Sequence, residues 1–367
     1  MNILRRVPLP RLLALCGLVV VIGVSATALA SALGGGPTPP AKPLAQAVHD
    51  ALGASPVQGV SAEVKLTDRL LEGANLAGGS GQSGESLSNP LISGASGRLW
   101  VAGDGRVRLE LQSEKGDTQV IYDGHTVTIY DAASNTLYLY TPPPQNATEA
   151  HPRPDGAGAS PSVAKIEEAI AKLKKHANVS EATPTDVAGQ PAYTVRVSPK
   201  EGGSLLGGAE LSFDSVHGLP LRAAVYSSTS SSPVIELAAT AISYGPVDSS
   251  VFSFTPPSSA KVQQIEVGKG KGGASSRHAE GQGGQPHLKT YGKGLAGIDV
   301  LESSSGKSGT STDKALEGLP KVKINGVSAS ELQTELGTIL SFERGGVRYV
   351  LAGAVTPAAI EALARGL

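Results

Sequence analysis

The chain has 367 residues, 40% hydrophobic but only 4% aromatic, and a formal net charge of -1. That length accommodates about two domains, and with few aromatics the core has to be filled by Leu, Val, Ile and Ala. Near-neutral charge without a long basic block excludes nucleic acid as a partner, while 46 Gly and 25 Pro favour turns, loops and linkers.

Arg5, Arg6 and Arg11 precede an apolar run from Leu12 to about Leu33, which carries the small-residue pairs Ala26/Ala28, Ala28/Ala30 and Ala30/Ala32. A basic flank, an apolar stretch and a cleavage zone describe an export signal. The run is also nearly long enough to span a bilayer uncleaved. Residues 1–33 are therefore a signal peptide or an N-terminal membrane anchor, and 34–42 a Gly/Pro-rich stalk that suits either. The expected location is the extracytoplasmic face of the membrane, with the chain anchored there or secreted after cleavage. Cys16, the only cysteine, lies inside the apolar run behind Leu15, where a lipid-attachment motif needs a small residue. Disulfides and thiolate chemistry are absent from the exported part.

The spacing predicts a short amphipathic helix over 43–52 and a strand over 59–67 with Val60 and Val64 on one face. Residues 70–97 read as a Gly/Ser/Asn-rich excursion. Strands follow at 98–102 (Leu99, Val101), 106–112 (Val107, Leu109, Leu111), 118–122 and 126–130 (Val127, Ile129), with Leu137 and Leu139 continuing the inward pattern. Asp123-Gly124 is a strong hairpin signal, and spacings this short permit antiparallel neighbours. Residues 142–161 form a loop. A helix capped by Ser160, with Pro161 at its first position, carries Ile166, Ile170 and Leu173 on its buried stripe. Strands resume at 192–197, 208–213 (Leu211, Phe213), 221–227 and 234–244. Val251-Phe-Ser-Phe-Thr-Pro-Pro257 reads as a terminal edge. After a polar linker, 263–288, a smaller unit spans 289–367. It has strands at 297–302, 322–324, 338–342 and 347–352, a loop over 303–311, a helix capped by Ser328 and Glu331, and a final helix after Thr356.

The order "SGRLWVAGDGRVRLELQ", "TQVIYDGHTVTIYDAASNTLYLY", a helix, "ELSFDSVHGLPLRAAVY" and "VFSFTPPSSAKV" resembles LolA-like proteins, carriers of lipoproteins and lipids across the bacterial periplasm with relatives among exported actinobacterial proteins. The resemblance covers roughly Ala41 to Val262, with the LolA-like β domain over 43–262. It implies an α+β fold, a curved antiparallel half-open β-barrel with helices on its concave face, followed by a small α/β C-terminal domain. A LolA-like domain ahead of a smaller one is also the layout of RseB-type regulators, which bind an anti-sigma factor.

Little in the chain suggests chemistry. Seven histidines include no pair at i,i+4 on a helix and no His-Glu-x-x-His, so no metal site is expected. Two G-x-G-x-x-G matches, at Gly268 and Gly292, lack the following helix that a dinucleotide needs. Ser305-Gly-Lys-Ser308 lacks the first glycine of a phosphate loop, and no G-x-S-x-G elbow occurs. Adjacent Glu167 and Glu168 point in different directions. The sequence therefore predicts a non-enzymatic binding protein without a cofactor. Its expected partners are lipid or lipoprotein acyl chains, in an apolar cavity lined by Val60, Val64, Leu99, Val101, Val107, Leu109, Leu111, Val127, Ile129, Ile166, Ile170, Leu173, Leu211 and Phe213. The alternative partner is a membrane protein such as an anti-sigma factor.

Overall fold

A computed structural model describes residues 36–72, 94–114, 116–142, 160–265, 287–304 and 319–367. The export segment, the excursion within 70–97, the loop within 142–161, the linker 263–288 and the loop 303–311 lie wholly or largely outside the described residues.

Twelve strands in sequence and a late thirteenth form one sheet. After α1 (Leu44–Leu52) come β1 (Gly59–Asp68), β2 (Ala95–Ala102), β3 (Val107–Ser113), β4 (Gly116–Tyr122), β5 (Val127–Asp131) and β6 (Thr136–Tyr140). Then follow α2 (Val163–Leu173), β7 (Ala177–Val179), β8 (Thr183–Val187), β9 (Gln190–Pro199), β10 (Leu206–Asp214), β11 (Pro220–Ser227), β12 (Pro233–Tyr244) and β13 (Lys261–Gln264). The spatial order is β13-β6-β5-β4-β3-β2-β1-β12-β11-β10-β9-β7, with β8 also on β9. The outermost strands β13 and β7 do not pair with each other, so the curved sheet stays a half-open barrel.

One long join, β1 on β12, welds the two runs of hairpins into a single wall. Opposite Glu63 and Val64, a bulge at Thr240 of β12 puts Ala239 and Leu237 on the same face as Ile242 and Tyr244, because the extra residue shifts the alternation by one. Every pairing in this sheet is antiparallel except β13 on β6, which is parallel. The Val251–Pro257 stretch is not itself the edge. A 3₁₀ turn over Ser249–Phe252 leads into a strap on the convex face, and β13 forms the edge beyond it. Arg108 Nη1 donates to the Val251 and Ser253 carbonyls at 2.7 and 3.2 Å, Arg106 stacks over Phe252, and Phe254 meets Tyr130.

Elsewhere the convex face is polar and cross-linked. Glu210 joins Arg196 at 2.9 Å and Arg222 at 2.9 Å, Arg222 continues to Glu236 at 2.7 Å, and the Tyr226 hydroxyl donates to Glu210 at 2.6 Å. These residues stand side by side on β9 to β12, the arrangement in which opposite charges on neighbouring strands meet. Burial alone would push the Glu210 carboxyl up, but the bonds from Tyr226, Arg222 and Arg196 hold it below the usual carboxylate range.

The smaller unit is a six-stranded antiparallel sheet of β14 (His287–Tyr291), β15 (Ile298–Ser304), β16 (Lys321–Ile324), β17 (Val327–Thr334), β18 (Gly337–Arg344) and β19 (Val347–Gly353), with α3 (Pro357–Gly366) on one face. Val300, Leu340, Leu351, Ile360 and Ala364 are fully buried between them. The helix expected after Ser328 is instead strand β17. Asn325 and Gly326, both at positive φ, close a two-residue hairpin from β16, the turn that Asn-Gly favours. Ser328 and Glu331 carry a capping spacing, but hairpin pairing with β16 on one side and β18 on the other overrides that signal. Glu331 consequently lies buried opposite Leu340, and burial together with nearby Glu361 holds its carboxyl above the usual range.

The turn Asp214–Gly218 fastens α1 to the sheet. Gly218 has φ +68, and a Cβ there would come within 2.0 Å of the Ala51 carbonyl oxygen. Gly218→Ala is expected to lower unfolding free energy by at least about 2 kcal/mol, because strain at positive φ adds to the clash with α1. Urea denaturation followed by far-ultraviolet circular dichroism checks this; a loss under about 0.5 kcal/mol, the size of a neutral surface change, would refute the fastening.

Candidate functional site

Residues directly opposite in an antiparallel pair point to the same side of the sheet. The registers therefore trace one continuous apolar face. Val60 faces Val101, Ala62 faces Leu99, and Val64 lies beside Gly97, which faces Leu111. Leu99 and Val101 in turn face Leu109 and Val107. Beyond them lie Val120 and Tyr122, then Ile129 and Val127, then Tyr138 and Tyr140. On the other side of β1 the face continues through Ala239 and Leu237 to Ala223, Leu211 and Val195, with Phe213 beside Tyr193. The eleven strand residues assigned to the cavity from the sequence stand on this face.

Two helices lie on it. Leu44, Ala47, Val48 and Ala51 of α1 pack with Ile170 of α2 against Tyr193, Val195 and Phe213. Ile166 is buried, but Leu173 at the end of α2 is 44% exposed and Leu211 is 36% exposed, so neither is sealed in the core. The helix cap is Ser162, whose hydroxyl accepts from the Lys165 backbone N–H, rather than Ser160.

The helices cover only one end. The sheet is about 50 Å across at the usual strand spacing, whereas α1 and α2 have 9 and 11 residues, making rods about 15 Å long and 10 Å wide. Over β3 to β6 the concave face is half-buried except at Leu111 and Thr118, which are sealed: Val107, Leu109, Val120, Val127 and Ile129 all retain solvent access. Tyr122, Tyr138 and Tyr140 share that wing and its partial exposure. Tyr138 and Tyr140 were missed from the sequence because "TLYLY" alternates apolar residues on both sides. Leu137 and Leu139, expected inward, face the strap side.

The α1 end is held by a buried carboxylate. Asp214 has no exposed side-chain surface and accepts from the Tyr244 hydroxyl at 2.5 Å and from the backbone N–H of Val216 and His217 at 2.6 and 2.8 Å. The His217 ring lies 3.9 Å from the Tyr244 ring, centroid to centroid. Burial would push the Asp214 carboxyl up, but these donors outweigh it and hold it below the usual range. Burial and the same carboxylate push the Tyr244 hydroxyl up, so it remains a donor.

A second concavity of about 470 Å³ lies where the two sheets meet. His176, Val197, Pro199, Leu206 and Ala209 line it from the large sheet, and Lys293, Leu295 and Ala296 from the small one. The Leu205 backbone N–H donates to the Ala354 carbonyl at 2.7 Å and that of Glu335 to Leu70 at 3.1 Å, bridging the units. Among the described residues, no cluster of His, Cys, Asp or Glu could hold a metal ion, and no helix is long and apolar enough to cross a membrane.

Residues 85–151 match a family described as "Predicted periplasmic protein (DUF2092)". No curated protein is detectably similar. Among solved structures, MucB in complex with MucA(peri) is similar over 88% of this chain and 94% of its own, at 16% identity and a TM-score of 0.42. The Pseudomonas aeruginosa MucA/MucB complex matches over the same shares at 16% identity and 0.40. A LolA superfamily protein from Nitrosomonas europaea is similar over 85% of this chain and 91% of its own, at 9% identity and 0.19.

The depressed Asp214 carboxyl fixes the sign of an acid effect. A group whose folded value is lowered contributes stability above its unfolded value, about 3.9, and loses it as pH falls through the folded value. Asp214→Asn is expected to cost about 1–3 kcal/mol at neutral pH, and the gap to the parent protein should narrow below about pH 4. Urea midpoints measured across pH 3–7 test this; a gap independent of pH would refute the charged role of Asp214.

Proposed function

We propose that this is an exported, non-enzymatic binding protein whose concave face carries or senses the acyl chains of lipids or lipoproteins. What supports the reading is the uneven cover of the β3–β6 wing. Its convex side is closed by the strap from Ser249 onward, with Ile121 and Leu137 buried there, while its apolar concave side stays half open. A soluble protein that leaves Val, Leu, Ile and Tyr side chains in a continuous concave strip has a surface suited to an apolar ligand. Among the described residues, no constellation for acid-base or nucleophilic work adjoins the strip. Export by residues 1–33 and the periplasmic description of the family matching 85–151 agree with a role outside the cytoplasm.

The test is organic extraction of the protein purified from an envelope fraction, followed by titration with fluorescent fatty acids of increasing length. Each buried methylene contributes about 0.8 kcal/mol, so affinity is expected to rise roughly fourfold per methylene over the range the strip accommodates. Leu109→Glu and Ile129→Asp, both on the half-open wing, should reduce affinity at least about tenfold, since each places a charge in the strip. No extracted lipid together with no chain-length dependence would sink the carrier reading.

The cleft between the sheets favours a second reading, a regulator that engages a segment of a membrane protein such as an anti-sigma factor. Its walls are mainly apolar with Lys293, Glu201 and His176 at hand, and Leu295 is 49% exposed beside it. A photo-crosslinking residue in place of Leu295 should trap one membrane-protein partner in cells, and Leu206→Asp should abolish the product. Crosslinks to no defined partner would discard this reading.

A further inference from the structure

We infer that one end of the large sheet, the end bearing the Asp214–Gly218 turn and the β8–β9 turn, rests on the lipid surface into which residues 12–33 insert. The inference rests on the export reading of that segment, with the segment retained as an anchor, and not on the acyl-ligand reading.

Three observations meet there. First, the stalk is seated on the body almost as soon as the apolar run ends. Gly36 packs against Asp186, where a Cβ would fall 2.5 Å from the carboxylate oxygen. Pro39 is buried, and the Tyr193 hydroxyl donates to the Pro40 carbonyl at 2.6 Å. Only Gly34 and Gly35 separate Leu33 from Gly36. At a maximum of about 3.6 Å per residue, the end of the apolar run lies within about 11 Å of Gly36 whatever path the chain takes. A span that stops at the membrane surface therefore holds this end of the body against it.

Second, the elements around Gly36 form one end of the molecule. Asp186 pairs with Pro191 at the start of β9, and Ser215 N–H donates to the Pro191 carbonyl at 2.9 Å. Gly218, in the same turn, abuts Ala51 at the end of α1. Third, two large apolar side chains project into solvent at this end: Val216 is 64% exposed and Leu52 57% exposed. Apolar side chains beside a chain exit suit the headgroup-acyl boundary, where such groups bury about 5–10 Å deep.

The opposite end of β9 faces the cleft and the smaller sheet. Its 10 residues make about 30 Å of extended chain, so the smaller unit stands away from the bilayer. Glu343, exposed near the far hairpin of β18 and β19, provides the distal reference.

The experiment uses the full chain with Cys16→Ser, expressed into membranes and reconstituted into vesicles of phosphatidylcholine and phosphatidylglycerol. A nitrobenzoxadiazole label is attached at Val216→Cys, at Leu52→Cys or at Glu343→Cys, and lipids carrying a spin-label quencher are added. Labels at 216 and 52 are expected to lose most of their intensity, and the label at 343 to keep it. Equal intensities at the three positions would overturn the inference. So would mass spectrometry of the membrane-derived protein showing a chain that begins within or beyond 26–33, because cleavage there removes the tether. Lipid-ligand affinity plays no part in these readouts, so this inference and the carrier reading fail separately.

Discussion

Everything here depends on the pleat of one very wide sheet. With side chains alternating between faces, a sheet of this width must place an apolar set on one side, and two short helices cannot cover it. Closing the barrel would remove the problem, but the short β7 and the late parallel β13 leave both edges unpaired with each other. Curvature brings α1 and α2 over the β9–β10 end and leaves the β3–β6 wing half covered. The apolar strip is thus a geometric remainder of the fold, and the proposed ligand is what would occupy it.

Polar interactions serve that geometry rather than chemistry. The ladder of Arg196, Glu210, Arg222 and Glu236 binds four adjacent strands on the convex side, where partial burial strengthens charge-assisted bonds relative to open water. On the concave side, Asp214 ties a turn to Tyr244 and so fixes where α1 can sit. Between them these groups keep the β9–β12 half stiff. In the β3–β6 half, Arg108 and Asn135 hold the strap.

The large sheet was legible in the sequence because its signals are local: alternation in Val107–Leu111 and Thr126–Tyr130, and Asp123-Gly124 between hairpin strands. Period two groups the eleven strand residues within each strand, but the face each group takes is set by the pairing between strands. Where both alternations are apolar, as at Leu137–Tyr140, period two gives no direction, and the face depends on register with Ile129. The Ser328–Glu331 spacing failed because four residues of capping signal weigh less than two flanking hairpins, one closed by Asn325-Gly326 and the other by the turn into Gly337. The β1–β12 join, the parallel β13 and the cleft between the sheets are all products of long-range pairing and left no local trace.

The length of β9 has a consequence for who can meet this protein. If the Pro191 end is held at the bilayer as we infer, anything rooted in the same membrane would have to rise about 30 Å to touch Leu206 or Leu295, which takes roughly nine or ten fully extended residues. On that seating, single-span neighbours with shorter stubs outside the lipid would be excluded by reach alone, before any side chain is compared. The fold would then act as a ruler, admitting partners by the length of their outer segment.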